Sequence, residues 1–243
     1  MPLMLRYVAR SDVGLVREGN EDSGYAGPRL LAVADGMGGH AAGEVASSAT
    51  IEELVNVETV DTDGDPLEAL AAAVTAANAR IREMVAQDPA REGMGTTLTA
   101  LFWNGQALAL AHIGDSRAYL LRDGEMRQIT HDHTFVQTLV DEGRITADEA
   151  SVHPARSMIL RTLQGEANPE LDLELIEVRG GDRILVCSDG LSGIVRDLTL
   201  RDTLVANSDL VSAADALVGL ALKAGAPDNV TCVVADIVET DVP

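Results

Sequence analysis

The sequence predicts an α+β fold in which antiparallel sheets carry helices on their outer faces. Three observations lead there. Hairpin signals recur: Asn104-Gly105 lies between the apolar runs 97–103 and 107–113, and Asp123-Gly124 lies between 118–122 and 126–129. Asn-Gly and Asp-Gly are the strongest short-range markers of a tight strand reversal. Two long stretches show helical spacing of apolar residues. Strands and helices do not alternate through the middle of the chain, as a parallel sheet with crossover helices would require.

Taken in order, the apolar run 30–34 reads as a strand and 43–55 as a helix. The polar, acidic stretch 58–65 is loop and leads into a helix. Asp65 caps it, Pro66 fits the first turn, where its missing N–H costs nothing, and Glu68 completes a capping box. Leu67, Leu70, Val74, Ala77, Ile81 and Met84 share one face of that helix. The two hairpins follow. Residues 135–142 form a short helix ending at Gly143, and 171–178 and 184–187 are strands. Leu210, Ala214, Leu217, Ala221 and Leu222 stripe a helix over 210–223, which Gly225 ends. The run 230–238 is the last strand, and the stop at Pro243 just after it reads as the end of a fragment.

A chain of 243 residues buries a sizeable core without disulfides. Aromatic residues are only 2%, so that core is built from Val, Leu, Ile and Ala. The net charge of -21 argues against nucleic-acid partners, which require Lys and Arg to displace counterions, and equally against anionic lipid. Cys187 and Cys232 each lie inside an apolar run, as buried free thiols of a reducing compartment do. The N-terminus lacks the apolar stretch of a signal peptide, and no run of about 18 apolar residues occurs. A cytoplasmic chain without a membrane span, and a monomer, are expected.

The stretches 29–39 (RLLAVADGMGG) and 183–193 (RILVCSDGLSG) echo each other. Each is an apolar strand that stops at Asp-Gly and then meets small residues. Asp123-Gly124 is ordinary turn chemistry, because strands flank it on both sides; Asp35-Gly36 and Asp189-Gly190 have no returning strand behind them. Asp115 ends the run 109–114, and Asp228 precedes the strand at 230. Four carboxylates thus stand at strand boundaries, where the ends of two stacked sheets converge at one rim. Gathered carboxylates repel unless cations lie between them, and oxygen-only ligands suit Mg²⁺ or Mn²⁺. A bridging carboxylate holds two ions about 3.5–4 Å apart. Asp35 and Asp189 are the bridging candidates, since the glycine after each lets backbone and water approach. Arg17, in 17–22 (REGNED), is the candidate phosphate ligand, because guanidinium binds phosphate oxygens in bidentate fashion. Asp22 adds a contact around the metals, and Glu21 reads as solvated.

These residues form six motifs in order: R-x-x-N-E-D (17–22), D-G-M-G-G-H-x-x-G-E (35–44), G-T-T (95–97), H-I-G-D-S-R (112–117), S-D-G-L (188–191) and D-N-V-T (228–231). The set resembles the bacterial branch of the protein phosphatase 2C family, metal-dependent serine/threonine phosphatases, and spans nearly the whole chain. The resemblance implies a four-layer α/β/β/α sandwich of two central antiparallel sheets flanked by helices, as one catalytic domain over 1–243 with a flap around 131–157. It implies two core Mn²⁺ or Mg²⁺ ions. Asp35 bridges them, the Gly36 carbonyl binds one, Asp189 and Asp228 complete the second site, and Asp115 with Asp189 holds a third, weaker ion. Asp22 and Asn229 support that shell, and Arg17 binds the phosphate. Met37 stands where animal members carry a histidine proposed as general acid; the nearest histidine here is His40.

The implied reaction is hydrolysis of phosphoserine and phosphothreonine in proteins by a metal-bridging hydroxide, opposing bacterial serine/threonine kinases, with phosphorylated proteins as partners. Many relatives carry a membrane anchor after this domain. A cysteine-dependent phosphatase is excluded, since Cys187 is followed by Arg only at Arg196, and the P-loop pattern is absent. The non-enzyme alternative is a phosphatase-like regulatory binding module without turnover.

Overall fold

The protein is described from a computed structural model that covers residues 2–38, 42–59 and 64–240. One sheet contains β1 (Leu3–Asp12), β7 (Arg117–Arg122), β8 (Glu125–Gln128), β10 (Arg183–Cys187) and β11 (Val230–Glu239), in the order β1-β11-β10-β7-β8. The other contains β2 (Asp22–Ala26), β3 (Leu30–Met37), β5 (Leu98–Trp103), β6 (Leu108–Ile113) and β9 (Asp172–Ile176) in that order, with the short β4 (Gly95–Thr96) paired onto β3. The strand pairings are antiparallel.

Three separate apolar clusters make the layers. Leu30, Ala32 and Ala34 of β3 pack outward against Leu54 of α1 (Ala42–Val55) and against Leu70, Val74 and Ile81 of α2 (Pro66–Gln87). Leu31 and Val33 point the other way, to Val186, Val233 and Ile237 of the facing sheet. On that sheet's far side Cys187, Cys232 and Val234 meet Leu200 of α6 (Asp197–Ala206) and Leu217 of α7 (Leu210–Lys223). The result is the α/β/β/α sandwich. Alternate side chains of a strand enter different cores, and with both faces covered most positions are apolar. That is why these strands read as continuous runs.

The helix ends follow capping chemistry. Asp65 accepts from the Leu67 amide and Asp209 from the Ser212 amide, and Gly225 ends α7 at φ +102. The box expected through Glu68 is absent from the described hydrogen bonds. A reciprocal box forms instead at Thr146 and Glu149, opening α4 (Ala147–Ser151). The two hairpin signals also diverge. Asp123 and Gly124 both take positive φ and close a two-residue turn. Asn104 does not: its side-chain oxygen accepts from the Gln106 and Ala107 amides at 2.9 and 2.8 Å, making a longer loop in which only Gly105 turns over.

Several elements lay outside the sequence reading, among them β1, β2 and α6. The edge strand β1 is broken as an apolar run by Arg6 and Arg10. The strand β2 has five residues with a central Gly24, whose missing side chain admits the Thr231 methyl. In α6 only Leu200 and Leu204 are buried. Cys187 and Cys232 are free and buried, and they stand directly opposite each other on β10 and β11. Among the described residues no helix is long and apolar enough to cross a membrane.

Candidate metal centre

Five aspartates meet at one rim of the sandwich, each from a different element. Asp22 opens β2, Asp35 lies near the end of β3, and Asp115 follows β6. Asp189 opens the short helix α5 (Asp189–Ser192) directly after β10, and Asp228 precedes β11. Asp22 and Asp35 are direct cross-strand partners, an arrangement of like charges that destabilises a sheet. Burial raises the Asp35 pKa well above the carboxylate range, and the charges of Asp22, Asp189, Asp115 and Asp228 add to it. Burial likewise raises Asp115, with Asp189 and Asp132 adding. It also raises Asp189, with Asp228 adding, while the Asp35 carboxyl lies within hydrogen-bonding reach and opposes the shift. Asp22 is pushed up to about 6, mainly by burial and against a hydrogen bond from Ser188.

The backbone around these acids is fixed by small hydroxyls. Thr97 donates its amide to the Asp35 carbonyl at 2.8 Å and accepts the Asp35 amide on its hydroxyl at 3.0 Å. Thr96 adds a hydroxyl to the same carbonyl at 2.9 Å. The Thr97 hydroxyl meets that of Ser116 at 2.9 Å, which ties the Asp35 strand to the Asp115 turn. Ser188 donates to Asp22 at 2.7 Å and accepts the Thr231 amide at 3.0 Å. Sequence reasoning assigned none of these four a role; the available signal was that each sits inside a motif already singled out.

The Asp-Gly echo has one physical cause at both sites. Neither Gly36 nor Gly190 has positive φ. A Cβ on Gly36 would lie 2.0 Å from the Gly43 carbonyl oxygen, and one on Gly190 would lie 1.8 Å from that of Asn229. Each glycine lets a second backbone segment touch the strand end.

Arg17 donates to Asp228 at 2.7 Å through one guanidinium nitrogen and is half exposed. Asn229 is buried and spends its amide on the loop before β2. It accepts from the Glu21 amide at 2.8 Å and donates to the carbonyls of Val13 and Gly19 at 2.9 and 2.8 Å. It therefore braces the segment that carries Arg17. Glu21 is half-buried rather than solvated. Its carboxyl lies against Gly43, and burial raises its pKa. His40 lies outside the described residues.

A divalent cation fits this donor set. Asp22 Oδ1 and Asp115 Oδ1 are buried without a hydrogen-bond partner, and unpaired buried carboxylate oxygens are costly unless a cation meets them. The donors are all oxygen, as hard ions require. Among the described residues no three acidic, histidine or cysteine side chains are already closed around one ion. Arg17 holds an oxygen of Asp228, and the Asp189 carboxyl lies within hydrogen-bonding reach of Asp35.

Behind the centre, buried His112 contacts the Thr99 hydroxyl at 2.9 Å and the His131 carbonyl at 3.0 Å. Burial, and after it the charge of neighbouring His133, lower its pKa to about 4. A depressed folded value means that the unfolded chain takes up the proton first. Stability is full above about pH 6.5 and is lost as pH falls toward 4, by about 3 kcal/mol at 1.36 per unit. Urea melts from pH 7 to 4 should show a shallower decline for His112→Gln; equal slopes in both proteins count against this account.

Fold and rim together define the class: a four-layer sandwich built around a carboxylate-rich cation site. The chain belongs to the protein phosphatase 2C family, whose profile matches residues 20–234. It is 58% identical over 240 residues to the serine/threonine protein phosphatase PstP of Mycobacterium tuberculosis, covering 98% of this chain and 46% of that protein. The chain thus spans about half the length of that relative. The crystal structure of the M. tuberculosis serine/threonine phosphatase PstP/Ppp is similar at a TM-score of 0.94 and 57% identity, over 97% of this chain and 100% of that one. A PstP catalytic domain in complex with two manganese ions is similar at 0.90 and 55% identity, over 98% and 100% of the two chains.

Proposed function

We propose that the chain hydrolyses phosphoserine and phosphothreonine in proteins and depends on Mn²⁺ or Mg²⁺. The observation that carries this is the convergence of five aspartates, two with orphan buried oxygens, beside a half-exposed arginine. The family and the two manganese ions of the PstP catalytic domain support it.

In this reading Asp35, the Gly36 carbonyl, Asp189 and Asp228 would hold the two core ions, and Asp115 with Asp189 would hold a third. When bound, the ions make water nucleophilic at neutral pH and offset charge on the phosphoryl oxygens. Asp22 holds Ser188, and through it the Thr231 strand, in register. Arg17, moving off Asp228, takes two phosphoryl oxygens with its planar fork and stabilises the charge that develops there. Met37 stands where animal members carry the proposed acid, so proton delivery to the leaving serine oxygen falls to His40 only as the nearest histidine in sequence. Cys187 and Cys232 take no part, since burial raises both thiols far above neutrality.

Segment 131–157 acts as the flap. It carries α3 (Phe135–Asp141) and α4, and its two ends are joined where the Phe135 amide meets the Met158 carbonyl and the Leu160 amide meets the His133 carbonyl, at 2.9 and 2.8 Å. The substrates are phosphoproteins of a serine/threonine kinase, and the acidic chain with buried thiols suits a cytoplasmic site of action.

The test is hydrolysis of p-nitrophenyl phosphate and a phosphothreonine peptide with Mn²⁺. EDTA should remove essentially all turnover and added Mn²⁺ should restore it; turnover that survives EDTA sinks the reading. Calorimetric Mn²⁺ binding without any turnover would favour the regulatory module instead.

A further inference from the structure

The loop between β1 and β2 presents an aliphatic cluster. Val13, Leu15 and Val16 fall within four positions and are 37%, 65% and 69% exposed. Isolated exposed aliphatic residues are ordinary; here they crowd one loop and run directly into Arg17. The loop is also held from beneath. Gly14 turns at φ +78 with its amide on Asp12 at 2.8 Å, and the Leu15 amide donates to the Ala226 carbonyl at 2.9 Å. Buried Asn229 ties down Val13, Gly19 and Glu21 together. A loop so anchored cannot fold Leu15 and Val16 into the core, so they stay on the surface beside the guanidinium.

We infer that Leu15 and Val16 form a specificity contact for the substrate residue adjacent to the phosphoresidue, and that they select an aliphatic side chain there. This rests on the reading that Arg17 takes the phosphate. Successive residues of a peptide are at most about 3.6 Å apart along its length, so a phosphoresidue seated on Arg17 keeps a neighbour whose side chain turns toward the loop within reach of Leu15 and Val16. An aliphatic flank buries apolar area on Leu15 and Val16. An acidic flank meets Glu18, Glu21 and Asp228 and is repelled.

The test compares three substrates with Mn²⁺: p-nitrophenyl phosphate, a phosphothreonine peptide flanked by leucines, and the same peptide flanked by glycines. The wild type should favour the leucine peptide about five-fold in kcat/KM, mainly through KM; an open contact gives less than the ten-fold or more of a closed pocket. The double variant Leu15→Ser, Val16→Ser should bring the ratio to one and leave the p-nitrophenyl phosphate rate unchanged. The milder pair Leu15→Ala, Val16→Ala should fall between. A wild-type ratio of one, or a double variant that keeps the five-fold preference, overturns the inference. So does an equal loss on all three substrates, because the pair then serves the fold or the centre. No turnover of p-nitrophenyl phosphate by the wild type defeats the phosphatase reading and this inference together; turnover without peptide preference defeats this inference alone.

Discussion

Asp35→Asn should lose Mn²⁺-dependent turnover by at least about a thousand-fold, beyond the ten- to hundred-fold typical of residues that only support a metal ligand, while the metal-free protein becomes more stable. The two effects share one cause. Asp35 is buried, directly opposite Asp22, and within the field of Asp115, Asp189 and Asp228. Its charge is unfavourable to the fold, a cost that the proposed cation would offset. Asparagine keeps the shape and the backbone bonds to Thr96 and Thr97 while removing the charge. A gain of about 1 kcal/mol raises the melting temperature by about 2–4 °C for a chain of this size. Calorimetric melts in EDTA alongside Mn²⁺ assays test both halves. A variant that keeps a tenth of the activity, or melts lower without metal, removes Asp35 from the centre of the account.

Gly190→Ala should cost about 3 kcal/mol and lower the melting temperature by roughly 6–12 °C. The added methyl would lie 1.8 Å from the Asn229 carbonyl oxygen, a backbone atom that cannot swing aside. The displaced segment contains Asn229, which braces the Arg17 loop, and Asp228 before it, so Mn²⁺ affinity should fall as well. Gly36→Ala, against the Gly43 carbonyl at 2.0 Å, should behave alike. Gly219 provides the contrast. It lies inside α7 with nothing within 4 Å of a Cβ, so Gly219→Ala should stabilise by up to about 1 kcal/mol. Thermal melts of the three variants decide this; Gly190→Ala melting with the wild type would mean that close backbone approach does not explain the Asp-Gly echo.

How much was legible in the sequence depended on burial. Strands covered on both faces, such as β3, β10 and β11, announce themselves as apolar runs. The edge strand β1 and the five-residue β2 do not, because partial exposure admits Arg6, Arg10 and Ser23 and because β2 opens on the buried acid Asp22. Asp35, Asp115 and Asp189 were legible because each interrupts or ends such a run, and Asp228 because it stands just before one. The hydroxyls of Thr97, Ser116 and Ser188 were not, because nothing local distinguishes a threonine that clamps a neighbouring strand from one that fills space. Asn229 was read as supporting the metal shell, and what its side chain holds is the loop that carries Arg17.

By itself the sequence determined the inventory: which residues are strand cores, which acids end them, and where glycine must replace a side chain. Those follow from periodicity and from the conformational rules of single residues. Only the tertiary structure decided that Asp22 faces Asp35, that Cys187 faces Cys232, and that Arg17 rests on Asp228, 211 residues away. Such pairs depend on strand register and on the stacking of the two sheets, and a shift of one residue would turn the strand side chains among them, Asp22, Asp35, Cys187 and Cys232, to the opposite face.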